Sequence, residues 1–372
     1  VAKAKKPAAS PPGIPTVQRP PAEVACAAEL ERLRADDEGA RPPGWMLSPR
    51  SVRAFILGDE ARGIRKKFVG NPSLVDRAMV ALATNRGLLL TGEPGTAKSL
   101  LSELLSAAIS GTSTLTIQGG AATTEDQIKY SWNYALLLAE GPTSRALVPA
   151  PLYTGMKEGK LVRFEEITRC PLEVQDSLLS VLSDRVLAVP ELEGSDALLF
   201  ARDGFNIIAT ANTRDRGVNE MSSALKRRFN FETVFPIADL ATELALVKEE
   251  SRRLLERSGV PAAPSDDVLE LLVTMFRELR AGETADGQSL ERLSSALSTA
   301  EAVSVAHSVG VRAFFLGEKE ATPADLVECL GGAAVKESAE DRKRVERYFE
   351  QRVAKTKGAN WKAFYEARHR LP

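Results

Sequence analysis

The stretch LLLTGEPGTAKSLL, residues Leu88–Leu101, decides how the rest of the chain is read. An apolar run leads into a Gly-rich turn, a Lys, a Ser and an amphipathic segment, SLLSELLSAAISG, that stops at Gly111. The pattern G-x-x-x-x-G-K-[ST] between a strand and a helix is that of a phosphate-binding loop. Gly92, Glu93, Pro94, Gly95, Thr96, Ala97, Lys98 and Ser99 fit it, except that Ala97 stands where a Gly is usual, and Leu100 continues into the helix. Consecutive backbone N–H groups and a helix N-terminus make a cradle of positive potential for phosphates. Lys98 adds a point charge there, and the Ser99 hydroxyl suits a Mg²⁺ ion. A position next to the Lys lies at the helix start, where a negative φ suffices, so a methyl group at Ala97 is expected to be tolerated.

Working outward, short apolar runs at Leu88–Leu90, Leu115–Ile117, Leu161–Phe164, Phe205–Ala209 and Thr233–Phe235 alternate with helical segments. That alternation predicts a three-layer α/β domain with a parallel sheet. Two helices precede the loop. One is opened by Ser48 and Pro49, the other by Ser73 and stopped by Gly87. After Pro236 the segments all read as helices, capped by Ser, Asp or Thr at the start and Gly at the end. The expected organisation is a Pro/Ala-rich disordered tail at 1–22 and a helical segment at 23–47. An α/β nucleotide-binding domain at 48–236, a helical lid at 237–337 and a helical tail at 338–372 follow. The first helix is expected to bury Val24, Ala27, Leu30 and Leu33. In the tail, Trp361, Phe364 and Tyr365 form a possible docking face.

A phosphate loop needs carboxylates near it, one for the metal and one for the attacking water. The segment KLVRFEEITRC supplies Glu165 and Glu166 at the end of an apolar run. Glu165 stands where Asp is usual, and its extra methylene moves the charge about 1.5 Å outward, one C–C bond. Contact with a metal through water remains feasible. Glu166 is the candidate general base. Arg163 interrupts a strand expected to be buried on both faces, and alternation puts it on the side of Glu165. Asn212, at the tip of the run in GFNIIATANTRD, can orient a water against a γ-phosphate. Lys226, Arg227 and Arg228 in SSALKRRFNF offer an arginine finger.

The ordered set GEPGTAKS, VRFEEITR, IIATANT and ALKRRF resembles the AAA+ ATPases and, within them, the MoxR group. The resemblance covers roughly residues 48–335, and SPRSVRAFILG is similar to a YehL-like branch. It implies an αβα P-loop sandwich with strand order 5-1-4-3-2 and a helical lid, assembled as a homo-oligomeric, usually hexameric ring around ATP and Mg²⁺. On that resemblance Lys98 and Ser99 are Walker A residues, Glu165 and Glu166 Walker B, and Asn212 sensor 1. Arg228 is the first choice of finger, Arg227 the alternate, and Arg292 is sensor 2. Val69 and Gly70 would pack on adenine. Two insertions, at 130–159 and 185–204, resemble family insertions that face a pore or partner. Trp132, Tyr134 and Tyr153 lie in the first, as contacts or as ordinary core. The implied role is chaperone-like remodelling of a client, in concert with a von Willebrand factor A domain protein.

Bulk properties bound the alternatives. Lys plus Arg number 49 and Asp plus Glu 50, and aromatic residues make up 6%, which argues against a nucleic-acid motor. Three cysteines without CxxC spacing and two histidines argue against a disulfide framework or a zinc site, and point to a cytoplasmic protein. No run approaches the ~20 apolar residues of a membrane span. Glu165 leaves open a slow-turnover, nucleotide-gated assembly scaffold.

Overall fold

A computed structural model describes residues 17–212, 219–261, 263–294, 297–317, 320–336 and 338–371. Five parallel strands form its central sheet: β1 (Gly87–Gly92), β2 (Thr116–Gln118), β3 (Leu161–Glu165), β4 (Asn206–Asn212) and β5 (Phe229–Thr233). Their order is β2-β3-β4-β1-β5, the expected 5-1-4-3-2 order read from the other edge. Side chains alternate along a strand, and here the alternation builds the layers. Leu88 and Leu90 enter one core with helices Pro49–Leu57, Pro72–Leu82 and Lys98–Ser110. Leu89 points to the other core, with Val162, Phe164, Ile207 and Ala209.

The fifth strand lies four residues before the expected Thr233–Phe235. The most apolar run was the wrong guide, because this edge strand is only half-buried: Phe229 is covered and Phe231 exposed. The helix before the loop is capped by Asn71 rather than Ser73. Asn71 Oδ1 accepts from the Ser73 amide, and Pro72 takes the first helical position. Ser48 caps its helix as expected.

Two antiparallel hairpins interrupt the α/β order, Tyr130–Trp132 with Leu147–Pro149 and Val186–Ala188 with Leu198–Phe200. In the first insertion Trp132 and Tyr153 pack edge-on against Tyr130. Tyr134 and Leu138, on helix Tyr134–Glu140, face outward.

Beyond the sheet come helices Leu240–Arg257, Asp266–Ala281, Thr299–Phe315, Pro323–Leu330, Ala339–Gln351 and Ala359–Glu366. They share one apolar core, in which Phe276, Val309, Tyr348 and Phe364 are buried. The C-terminal stretch therefore packs into this bundle rather than standing apart: Phe364 is covered and Trp361 and Tyr365 partly so. Among the described residues, no helix is long and apolar enough to cross a membrane.

The N-terminal region departs most from expectation. Residues 1–16 of the expected disordered tail lie outside the described residues. Gln18 and Arg19 are bonded to Arg257 and Glu103 of the body, and two short helices, Ala22–Ala25 and Ala27–Ala35, meet at Cys26. That break shifts the buried face to Ala22, Cys26, Leu30 and Leu33, and leaves Val24 exposed.

Candidate nucleotide site

The loop between β1 and helix Lys98–Ser110 shapes the site. Gly92, at φ 149°, leaves no room for a side chain, since a Cβ there would come within 2.4 Å of the Val234 carbonyl. Gly95, at φ 74°, lies under the lid: a Cβ would meet the Ser298 Cβ at 2.0 Å. Thr96 Oγ1 closes the turn on the Glu93 carbonyl at 2.9 Å. Lys98 Nζ crosses it to the Gly92 and Glu93 carbonyls, at 3.1 and 2.7 Å.

Ala97 corrects the sequence argument. It sits at φ 67° and ψ 25°, in the left-handed region, as the residue capping the helix. The missing Gly is thus a strained position, costing roughly 1–2 kcal/mol for an L-residue. Glu166, at φ 56°, is a second strained non-glycine beside the same cleft. Strain of this kind clusters at functional sites.

The residues Glu93–Leu100 line a cleft of about 620 Å³ between the α/β body and the helical bundle. Glu166, Thr210 and Asn212 line it from the sheet, and Arg280, Thr299 and Val303 from the bundle. Asn212 is register partner of Gly92, so strand pairing delivers it to the loop.

Glu165 is buried at the end of β3, 5% exposed. Its Oε2 accepts from Ser99 Oγ at 2.7 Å and Thr210 Oγ1 at 2.8 Å. Its Oε1 accepts from Ser102 Oγ at 2.7 Å and Arg163 Nη2 at 2.8 Å. Burial pushes the Glu165 pKa up, but the bonds from Ser99 and Ser102, the Arg163 charge and the Thr210 bond outweigh it, leaving the carboxyl below its ordinary value. The extra methylene therefore does not project the charge outward. It seats the carboxylate among four donors. Arg163 is the counterpart, and all five of its N–H groups are used. Besides Glu165 they reach Ser102 Oγ, the Ser113 and Ser99 carbonyls and Thr116 Oγ1.

Glu166 borders the cleft. Its backbone N–H donates to Thr210 Oγ1 at 3.0 Å and its carboxylate pairs with Arg169 at 2.6 Å. Val69 lines the cleft, whereas Gly70 does not. Arg228 and Arg227 lie away from it, beyond helix Ser223–Lys226. Arg228 donates to Ser183 Oγ and the Ala224 carbonyl, while Arg227 is exposed. Arg292 is not brought to the site. Its guanidinium donates twice to the Ala281 carbonyl, and the helix expected around it starts only at Thr299. The reason is the capping box: Ser298 and Glu301 bond each other's backbone amides and fix the helix start there.

Three contributors escaped the sequence reading. Ser102 is i+3 from Ser99, on the same helix face, and Thr210 is i−2 from Asn212, on the same strand face. Both spacings were visible. The third, Pro20, Ala22, Ala25 and Cys26 of the N-terminal segment, gave no motif at all.

A parallel sheet in this order, a phosphate loop after β1, an acidic tip on β3 and a helical bundle behind the cleft define the AAA+ class of P-loop ATPase. Residues 87–229 match the AAA domain of the dynein-related subfamily, and residues 241–372 match the C-terminal domain of YehL-like AAA+ ATPases. The chain is 65% identical to the protein YehL of Escherichia coli (strain K12) over 357 residues, 96% of this chain and 98% of that one. It is 28% identical to YojN of Bacillus subtilis (strain 168) over 170 residues, 41% of this chain and 48% of that one. Its fold is similar to a crystal structure of NtrX from Brucella abortus in complex with ADP, with a TM-score of 0.50 and 15% identity. That match covers 83% of this chain and 66% of NtrX, just under two thirds of the latter. The chain belongs to the YehL-like AAA+ ATPases.

Proposed function

We propose that the chain binds and hydrolyses Mg-ATP in this cleft, within a ring of its own copies, and uses the cycle to remodel a partner protein. The observation that carries the reading is the bond from Ser99 Oγ to Glu165 Oε2. With its proton committed to Glu165, the Ser99 oxygen keeps its lone pairs for a cation. A hydroxyl backed by a carboxylate is the hard oxygen set that suits Mg²⁺. Ser99 would hold that ion, with Glu165 behind it, and when bound it would supply positive charge beside the phosphates.

The other roles follow from position. The amides of the loop and Lys98 bind the phosphates. Lys98 exchanges its two loop carbonyls for phosphate oxygens. Glu166 takes the proton of the attacking water, and Asn212, at the tip of the strand between Glu166 and the loop, orients that water. Neither Arg227 nor Arg228 lines its own cleft, which fits a finger delivered to a neighbouring copy. The exposed Tyr134 and Leu138, on an insertion outside the ATPase core, fit contact with a partner. A von Willebrand factor A domain protein is the partner class that the family resemblance favours.

Sizing the chain with and without a non-hydrolysable ATP analogue tests the assembly. The account expects the analogue to drive rings, usually of six copies. A monomer that hydrolyses ATP at full rate at every concentration would remove the ring and the finger from the reading.

A further inference from the structure

We propose that the N-terminal segment Arg19–Cys26 forms the nucleoside-binding wall of the cleft, a subsite that rests on the ATP reading above. Pro20, Ala22, Ala25 and Cys26 line the same cavity as the phosphate loop. Their position along it is fixed by Glu103. The Ala22 amide and Arg19 Nη2 donate to the two oxygens of Glu103, each at 3.1 Å. Glu103 lies five residues beyond Lys98 on the helix leaving the loop, roughly 7.5 Å of rise. The segment therefore borders the cleft about one nucleoside away from the phosphates. Val69 and Arg65 line the same cavity, and Arg65 Nη2 lies 4.0 Å from the Cys26 sulfur.

The chemistry of the two ends matches a nucleotide. The loop end offers backbone amides, Lys98 and hydroxyls, and the far end the small apolar surfaces of Pro20, Ala22, Ala25 and Val69, bordered by the charged Arg19, Arg65 and Glu103. A triphosphate ester has the same order, a charged tail followed by a base with apolar faces. The wall is also held in place. Glu23 accepts from the Ser113 amide and hydroxyl at 3.1 and 2.7 Å. Leu30 and Leu33 anchor the following helix in the core. From the bundle, the Arg257 guanidinium donates to the Gln18 carbonyl. The segment thus touches the helix of the phosphate loop, and Gln18 just ahead of it is bonded to a helix of the lid, so a base seated on the wall would lie between the two.

Ala25 gives the test, because it is exposed within the cleft and carries no packing load. Calorimetry on the full chain, with Mg²⁺, would compare ATP with inorganic tripolyphosphate for wild type and Ala25→Trp. A matched melting curve shows that the variant is folded. The expected result is a loss of ATP affinity on the order of tenfold, with tripolyphosphate unchanged within about twofold. ATP binding unaltered by the substitution, or both ligands weakened together, would overturn the subsite while leaving ATP binding by the wild type intact. A wild type that binds neither ligand would overturn the nucleotide reading and the subsite with it.

Discussion

Ser99 Oγ donates to Glu165 Oε2 across 2.7 Å, and so ties the first turn of the helix after the phosphate loop to the tip of β3. Arg163 braces the same junction from below, through Glu165 Oε1 and the Ser99 carbonyl. The carboxylate is buried, and its charge is compensated by hydrogen bonds on every side. Removing one member of such a pair strands the other, which costs about 3–5 kcal/mol. Arg163→Met should therefore lower the urea midpoint sharply. The double variant with Glu165→Gln should cost less than the sum of the two single ones, since no buried charge is left behind.

Acid should loosen the same junction. Burial alone would raise the Glu165 pKa, yet the bonds from Ser99 and Ser102, with Arg163 and Thr210, leave it below the ordinary 4.5. A group whose pKa is depressed by folding stabilises fully above its unfolded value, and that contribution is lost as pH falls through the folded one. The stability gap between wild type and Glu165→Gln should be widest near about pH 7 and narrow below about pH 4.5. Urea melts across that range measure it, and a constant gap would speak against the assignment.

The left-handed Ala97 predicts a gain from restoring glycine. An L-residue there costs roughly 1–2 kcal/mol, and Gly gives back roughly 0.4–1 kcal/mol through the freer unfolded chain. Ala97→Gly should stabilise the protein by about 0.5–1 kcal/mol net. Unchanged or lower stability by denaturant unfolding would show that neighbouring structure relieves the strain.

How much was legible follows from these residues. The loop and both carboxylates came from motif and alternation, because the strands that carry them are short and buried; the strand order came only from the family resemblance. The backbone angle of Ala97 did not, since φ at a loop–helix junction depends on the whole turn rather than on residue type. Arg292 failed for a related reason: its segment has helical spacing, but the Ser298 cap starts the helix later. The N-terminal wall was hidden because Pro- and Ala-rich sequence is also what disordered tails look like. Only its long-range bonds to Glu103, Ser113 and Arg257 place it on the body.

The finger makes a prediction about mixtures. Arg227 is exposed, while Arg228 is held by Ser183 and the Ala224 carbonyl of its own chain. Arg227→Ala should lower turnover by on the order of 10³-fold with ATP binding retained. Mixing it with a Lys98→Ala chain should restore part of the activity, since intact sites then form between unlike copies. Arg228→Ala tests, in the same way, the residue that the family resemblance puts first. Failure of both variants to alter turnover would exclude this cluster.

The central claim is that ATP is hydrolysed in this cleft with Glu166 as the base. Steady-state phosphate release from Mg-ATP, read beside ATP affinity for wild type and Glu166→Gln, tests it most directly. The account predicts turnover by the wild type, a fall of roughly 10²–10⁴-fold in the variant, and an affinity that is unchanged or higher. Equal turnover by the two proteins would contradict it.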